Sequence, residues 1–209
     1  MRVLIVADEK QKQEILLKKT DPAAELIFAE DYLKGNIDNY DALFYLTQIS
    51  PASVKKISEK PVFIGSVIET LEEQMLPRNF TKINAWPGFL ERPLWEAVSG
   101  NTEAASSIFK KLSWNIVFVK DGPGLISARI ISMIINEAFF ALEENVSSEE
   151  DIDIAMKLGT NYPYGPFEWQ GKIGIENIYL LLNKLSLTDK RYCIAPLLKK
   201  KYFETTHLA

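Results

Sequence analysis

The residue types that most readily carry chemistry are sparse in this chain. His207 is its one histidine and Cys193 its one cysteine. Imidazole is the side chain whose unperturbed pKa suits proton transfer near neutral pH, and His207 lies near the C-terminus, away from the middle of the chain. Cys193 has no base near it in sequence to activate the thiol, and reads as structural. No His/Cys cluster offers a metal site, and the acidic runs read as helix caps or surface. Dinucleotide binding needs glycines after a first strand, so that the backbone can approach a diphosphate at a helix N-terminus. Here the first strand candidate, Val3–Ala7, leads into Asp8-Glu9-Lys10-Gln11-Lys12-Gln13, and the first glycine is Gly35. Asp8 and Glu9 stand where a diphosphate requires positive potential and bare backbone. Glu30 or Asp31 has the placement of a ribose-binding acid, but without a glycine loop we read it as a solvated strand end.

The elements that must position any site fall into two textures. The first part alternates short aliphatic or aromatic runs with helical segments, the pattern of an α/β sheet with both faces covered. Strands are expected at Val3–Ala7, Leu26–Ala29, Ala42–Leu46, Val62–Gly65, Lys82–Trp86 and Ile116–Lys120. Ser50-Pro51 starts a helix over Ala52–Glu59, and Asn101 caps one over Glu103–Leu112. After Asp121-Gly122-Pro123-Gly124 the pattern becomes all-helical. Leu125 to about Asn145 is apolar on most sides, which predicts burial at a domain centre or a subunit interface. Ser147 and Glu150 have capping-box spacing for a helix reaching about Lys157, with Gly159 as its stop. Tyr162-Pro163-Tyr164-Gly165-Pro166 reads as a rigid turn into a short helix. Further helices are expected over Gly174–Leu185 and Ile194–Tyr202. The expected organisation is an α/β domain over 1–120 and a helical domain over 121–209.

Composition narrows the partners. The 209 residues carry 24 Lys and Arg against 28 Asp and Glu, a net charge of −4 with no basic stripe, which argues against nucleic acid or an anionic membrane. Lys199-Lys200-Lys201 reads as solvated surface. No apolar run approaches a membrane span, and Met1-Arg2 enters the first strand directly rather than a signal peptide. A lone cysteine forms no intrachain disulfide. A soluble, cytoplasmic protein is expected.

Residues 121–178 carry ordered turn chemistry as well as apolar positions. Asp121, Pro123, Gly124 and Arg129 are followed by Asn136-Glu137-Ala138, then by Glu150-Asp151-Ile152-Asp153. Tyr162, Pro163, Gly165, Pro166, Phe167, Glu168 and Gly174 complete the series. This order closely resembles the C-terminal domain of the 3-hydroxyacyl-CoA dehydrogenases, whose pattern runs D-x-P-G-F-x-x-N-R, N-E-A, E-D-I-D and G-Y-P-x-G-P-F-E. Glycines and prolines at fixed offsets distinguish it from mere helical packing. Upstream the likeness is weaker, through LPRNFTKI and through Leu94-Trp95-Glu96-Ala97.

That resemblance implies a truncated Rossmann-like parallel-sheet domain followed by the family's helical domain, which normally supplies a homodimer interface. It implies an oxidoreductase of acyl-CoA metabolism, in which hydride passes from C3 of a 3-hydroxyacyl-CoA to NAD while a histidine takes the hydroxyl proton. Setting Glu96 on the family's glutamate puts Asn84 where the family has that histidine. An amide hydrogen-bonds a carbonyl but does not accept a proton usefully. Ser66 aligns with the family's substrate-contacting serine, followed by Val67 and Ile68 rather than Asn and Thr. Ala128 replaces a family asparagine, and Arg129 is expected to anchor its helix. Trp86, Phe89, Trp95 and Trp114 are assigned to packing, with an acyl or adenine pocket the alternative. NAD is implied by the resemblance alone. The expectation is therefore a dehydrogenase-like protein with impaired or lost hydride transfer; the alternative is a non-catalytic acyl-CoA binder or a dimeric structural or regulatory module.

Overall fold

Strand β1, Arg2–Val6, begins the fold as a run of Val, Leu and Ile that suits a position buried on both faces. A computed structural model describes residues 1–29, 37–47 and 59–206 of the chain. Strands β2 (Glu25–Ala29), β3 (Ala42–Tyr45), β4 (Val62–Gly65), β5 (Phe80–Ile83), β6 (Leu94–Ser99) and β7 (Asn115–Phe118) join β1 in one sheet of order β2-β1-β3-β4-β5-β6-β7. Pairing is parallel from β2 through β5; β6 enters antiparallel to β5, and β7 runs parallel to β6.

Two differences from the sequence expectation matter for the site. Strand β5 starts at Phe80, ahead of the expected Lys82–Trp86, because its polar residues find partners: Thr81 Oγ1 lies 2.7 Å from Ser99 Oγ, and Lys82 is ion-paired. Strand β6 was not expected as a strand. Its alternation is carried by Trp95 and Ala97 inward against an exposed Leu94, and it exists by pairing with both β5 and β7. The helix expected over Ala52–Glu59 falls on residues outside the described ones, apart from Glu59.

Helices α1 (Glu9–Leu16) and α2 (Thr102–Leu112) cover one face of the sheet. Ile15, Ile108, Phe109 and Leu112 pack there on Val3, Ile5, Phe44, Phe63, Ile83 and Trp95. Phe44 and Phe63 stack with centroids 4.3 Å apart, and Trp95 lies 5.1 Å from Trp114, so these two tryptophans are core residues. As expected, Asn101 caps α2 by accepting from Ala104 N at 3.1 Å. The other face carries Leu4, Val6, Leu43, Tyr45, Val62, Ile64 and Phe80, with Tyr40, Leu71 and Leu76 against them.

The chain divides into two compact units, Met1–Leu125 and Ile126–Ala209. In the second, α3 (Ser127–Glu143) buries Ala128, Ile131, Ile135, Ala138 and Phe139, while α4 (Glu149–Thr160), α5 (Pro166–Ile173), α6 (Ile175–Ser186) and α7 (Pro196–Thr206) surround it. The cap of α4 is Ser148, not Ser147: its Oγ accepts from Asp151 N at 3.2 Å and donates to Asp151 Oδ2 at 2.9 Å. Gly159 lies inside that helix, and Asn161 ends it at φ 56°, since an asparagine side chain tolerates the left-handed conformation. Among the described residues no helix is long and apolar enough to cross a membrane.

Candidate functional site

The parallel register of β4 and β5 ends with Gly65 beside Ile83, and the antiparallel register of β5 and β6 ends with Ile83 beside Ala97. One step further along each strand stand Ser66, Asn84 and Glu96. The three residues singled out from sequence therefore form one row at the end of the sheet, Ser66 and Asn84 just past β4 and β5 and Glu96 within β6. It lies at the carboxyl edge of β4 and β5, the edge where open α/β sheets bind ligands. Gly65 permits this arrangement sterically, because a Cβ there would sit 2.5 Å from Leu46 O and 2.7 Å from Ala85 Cβ.

Ser66 is half-buried; its hydroxyl donates to Glu69 O at 3.3 Å and accepts from Gln74 Nε2 at 2.7 Å. Asn84 is 6 % exposed, and its Oδ1 accepts from Trp86 N at 3.2 Å. Glu96 is half-buried within β6. A hydroxyl, an amide and a carboxylate can orient a carbonyl or hydroxyl group by hydrogen bonding. Position 84 carries no group that titrates near neutral pH.

Directly below the row, two residues before Asn84, lies a group that sequence reasoning missed. The Lys82 side chain is fully buried, and its ammonium donates to Asp121 Oδ1 at 2.9 Å, Gly122 O at 3.0 Å and Glu69 O at 3.2 Å. The other oxygen of Asp121 accepts from Leu71 N at 2.8 Å, and Gly124 N donates to Val67 O at 2.8 Å. The segment after Ser66 and the Asp121–Gly124 segment are thus tied to the sheet through one buried charge. The available signal was a lysine inside the otherwise buried run Phe80-Thr81-Lys82-Ile83.

A dinucleotide diphosphate at the N-terminus of α1 would need the free N–H groups of the first helical turn. Asp8 caps the helix by accepting from Gln11 N at 2.8 Å, and Gln11 Oε1 accepts from Asp8 N at 3.1 Å. The buried Gln11 amide also donates to Leu46 O at 2.9 Å and Ala85 O at 3.1 Å, which closes the edge of the sheet over β3 and β5. A carboxylate and a packed amide occupy the ground a diphosphate would take, so these residues do not fit NAD in the usual mode. Glu30, Asp31 and His207 lie outside the described residues. Among the described residues, no group of three His, Cys, Asp or Glu side chains is placed to hold a metal ion.

The helical unit explains most of the motif read from sequence. Asn136, 2 % exposed, donates to Cys193 O at 2.8 Å and accepts from Ala195 N at 2.9 Å. Asp153 accepts from Phe167 N at 2.8 Å and Glu168 N at 3.1 Å, capping α5 from a neighbouring helix. A Cβ on Gly165 would fall 2.3 Å from Asp153 Oδ1, so only glycine fits there. Glu168 closes the cap by accepting from Gly165 N at 2.8 Å and pairs with Lys157, which holds its carboxyl below the usual range. The Arg129 guanidinium lies 5.9 Å from the centre of the Tyr192 ring.

Residues 124–209 match the family model of the 3-hydroxyacyl-CoA dehydrogenase C-terminal domain. Through this unit the chain belongs to the 3-hydroxyacyl-CoA dehydrogenase family. It is 34 % identical over 164 residues to 3-hydroxyadipyl-CoA dehydrogenase of Escherichia coli, a match covering 73 % of this chain and 34 % of that protein. To 3-hydroxybutyryl-CoA dehydrogenase of Bradyrhizobium diazoefficiens it is 38 % identical over 100 residues, covering 47 % of this chain and 34 % of the relative. The chain thus spans about a third of the length of the curated relatives it matches. The crystal structure of (S)-3-hydroxybutyryl-CoA dehydrogenase from Ralstonia eutropha superposes with a TM-score of 0.66 at 25 % identity, over 84 % of this chain and 69 % of that one. The α/β unit and the helical unit together form the architecture expected for this family, a mostly parallel Rossmann-like sheet followed by a helical domain.

Proposed function

We propose that this protein serves acyl-CoA metabolism as a dehydrogenase-like binder of acyl-CoA thioesters, with NAD-dependent hydride transfer impaired or lost. The observation that carries this reading is the closed N-terminus of α1, where Asp8 and Gln11 replace a phosphate-binding loop. The Ser66, Asn84 and Glu96 row supports it, because it keeps hydrogen-bonding groups at the carboxyl edge of the sheet without a general base. General-base help is typically worth about a hundred- to ten-thousand-fold in rate. Family relatives named as dehydrogenases of hydroxyacyl-CoA substrates point to the thioester class.

The reading includes a homodimer through the helical unit. Ile126 and Ile130 on and beside α3 are 50 % and 51 % exposed, and Leu158 on α4 is 83 % exposed. Ile126 and Ile130 stand one helical turn apart, and adjoining exposed aliphatic side chains favour a covered surface.

The test is a thermal melt of the purified protein alone, with NADH, and with acetoacetyl-CoA. A ligand at a hundred times its Kd adds about 2.7 kcal/mol, a rise of roughly 5 to 11 °C for a chain of this size. The expected result is stabilisation by the thioester and none by NADH. Stabilisation by both would revive the dehydrogenase, and a melt unmoved by either would leave a dimeric structural module.

A further inference from the structure

Helix α1 directs an unusual polar stripe at the connection between β5 and β6. Gln11, Glu14 and Lys18 follow one another at helical spacing, Lys18 just past the helix end, where its N–H still donates to Ile15 O at 3.0 Å. All three bond backbone groups of the 85–92 connection, in chain order. Gln11 Nε2 donates to Ala85 O at 3.1 Å. Glu14 accepts from Gly88 N at 2.6 Å and from Leu90 N at 3.1 Å. Lys18 Nζ donates to Arg92 O at 2.5 Å. The connection is braced from within as well: Arg92 Nε donates to Gly88 O at 3.1 Å, and Trp95 Nε1 to Leu90 O at 3.0 Å.

This connection leaves β5 at Asn84, just past the register that sets Ile83 opposite Ala97, and Asn84 is bonded to its start through Trp86 N, so its course bears on how the Asn84 side chain is held beside Glu96. A half-buried carboxylate is a costly way to join a helix to a loop that an apolar contact could hold. Directional bonds fix backbone position where apolar contact would let it slide. Gln11 belongs both to this stripe and to the closed N-terminus of α1, so the same side chain cannot also make room for a diphosphate.

We propose that α1 is a clamp on the β5–β6 connection that holds the Asn84 side chain in place beside Glu96, with Glu14 as its main positioning residue. The proposal rests on the reading that the Ser66, Asn84 and Glu96 row receives an acyl-CoA thioester.

The experiment compares the full chain with Glu14→Ala, Glu14→Gln and Asn84→Ala, by backbone amide hydrogen exchange without ligand and by calorimetric titration with acetoacetyl-CoA. Glu14→Ala is expected to speed exchange at Gly88 and Leu90, to spread that change to Asn84 and the start of β6, and to weaken acetoacetyl-CoA about tenfold or more. Glu14→Gln retains one carbonyl acceptor and is expected to fall between, which keeps the test readable should the alanine variant fail to fold. Asn84→Ala is expected to lose the thioester while exchange at Gly88 and Leu90 stays as in the wild type. Unchanged affinity in both Glu14 variants, or an exchange change confined to Gly88 and Leu90, overturns the clamp. A wild type that ignores acetoacetyl-CoA overturns the thioester reading instead. The exchange pattern then decides the clamp alone: spread to Asn84 upholds it, and confinement overturns it.

Discussion

Lys82 and Asp121 form an ion pair of unequal burial: the lysine side chain is fully buried and the aspartate keeps 27 % of its exposure. Removing either partner therefore has a different cost. Without Asp121 an ammonium is stranded in the interior, whereas without Lys82 the carboxylate retains Leu71 N and some water. Asp121→Ala is expected to lower unfolding free energy by about 3–5 kcal/mol, and Lys82→Met by roughly 1–3 kcal/mol. Urea titration of both variants checks the order; equal losses would count against it.

In the helical unit, Gly165→Ala drives a methyl group into Asp153, and the expected loss is about 1–3 kcal/mol from overpacking. Asp153→Ala leaves Phe167 N and Glu168 N uncapped and costs a comparable amount. Because both act on one contact, the double variant should be less destabilised than the sum of the two. Additivity in denaturant melts would show the two residues to be independent.

The stability of the α/β unit should respond to alkaline pH through Lys18. Burial lowers its pKa from 10.5 to about 8, with its Nζ 5.0 and 5.5 Å from the Trp95 and Trp114 rings. The unfolded chain holds this proton up to about 10.5, so between about pH 8 and 10.5 the unfolded state binds more protons and stability rises with pH. That contribution is fully present above 10.5 and is lost as pH falls through about 8. Glu14 is the acidic neighbour on the same stripe, with Glu91 beside it, and burial pushes the Glu14 carboxyl above its ordinary 4.5. Its stabilising contribution is present below 4.5 and fades as pH rises through the raised value. Lys18→Met should flatten the rise between pH 8 and 10.5; a rise that persists in the variant would place its origin elsewhere.

Asn84→His would set an imidazole next in line to Glu96, as the family arrangement has it. Because Asp8 and Gln11 still close α1, this variant is expected to form no NADH from a 3-hydroxyacyl-CoA above the wild-type level, followed at 340 nm by the usual nicotinamide absorbance. Appearance of NADH would sink the view that the cofactor site is lost.

Much of the molecule was legible in the sequence because it depends on neighbours along the chain. The strand β1 follows from consecutive aliphatic residues, the cap at Asn101 from its own helix, and the turn before α5 from Pro163, Gly165 and Pro166. The resemblance to the family rests on such turn chemistry. Two local signals still misled. Ser147 was passed over for Ser148 as the cap of α4, and Gly159 stayed helical because Asn161 offered the left-handed residue.

What only the tertiary structure decided involves partners remote in sequence. Strand β6 has no strong alternation of its own and is made by β5 and β7 on either side. Lys82 meets Asp121 across 39 positions, and Glu14 meets Gly88 across 74. The row of Ser66, Asn84 and Glu96 exists because two registers end together at Ile83. Residue types named these candidates, but a hydrogen bond or a buried charge is determined by distance in space, which spacing along a chain does not encode.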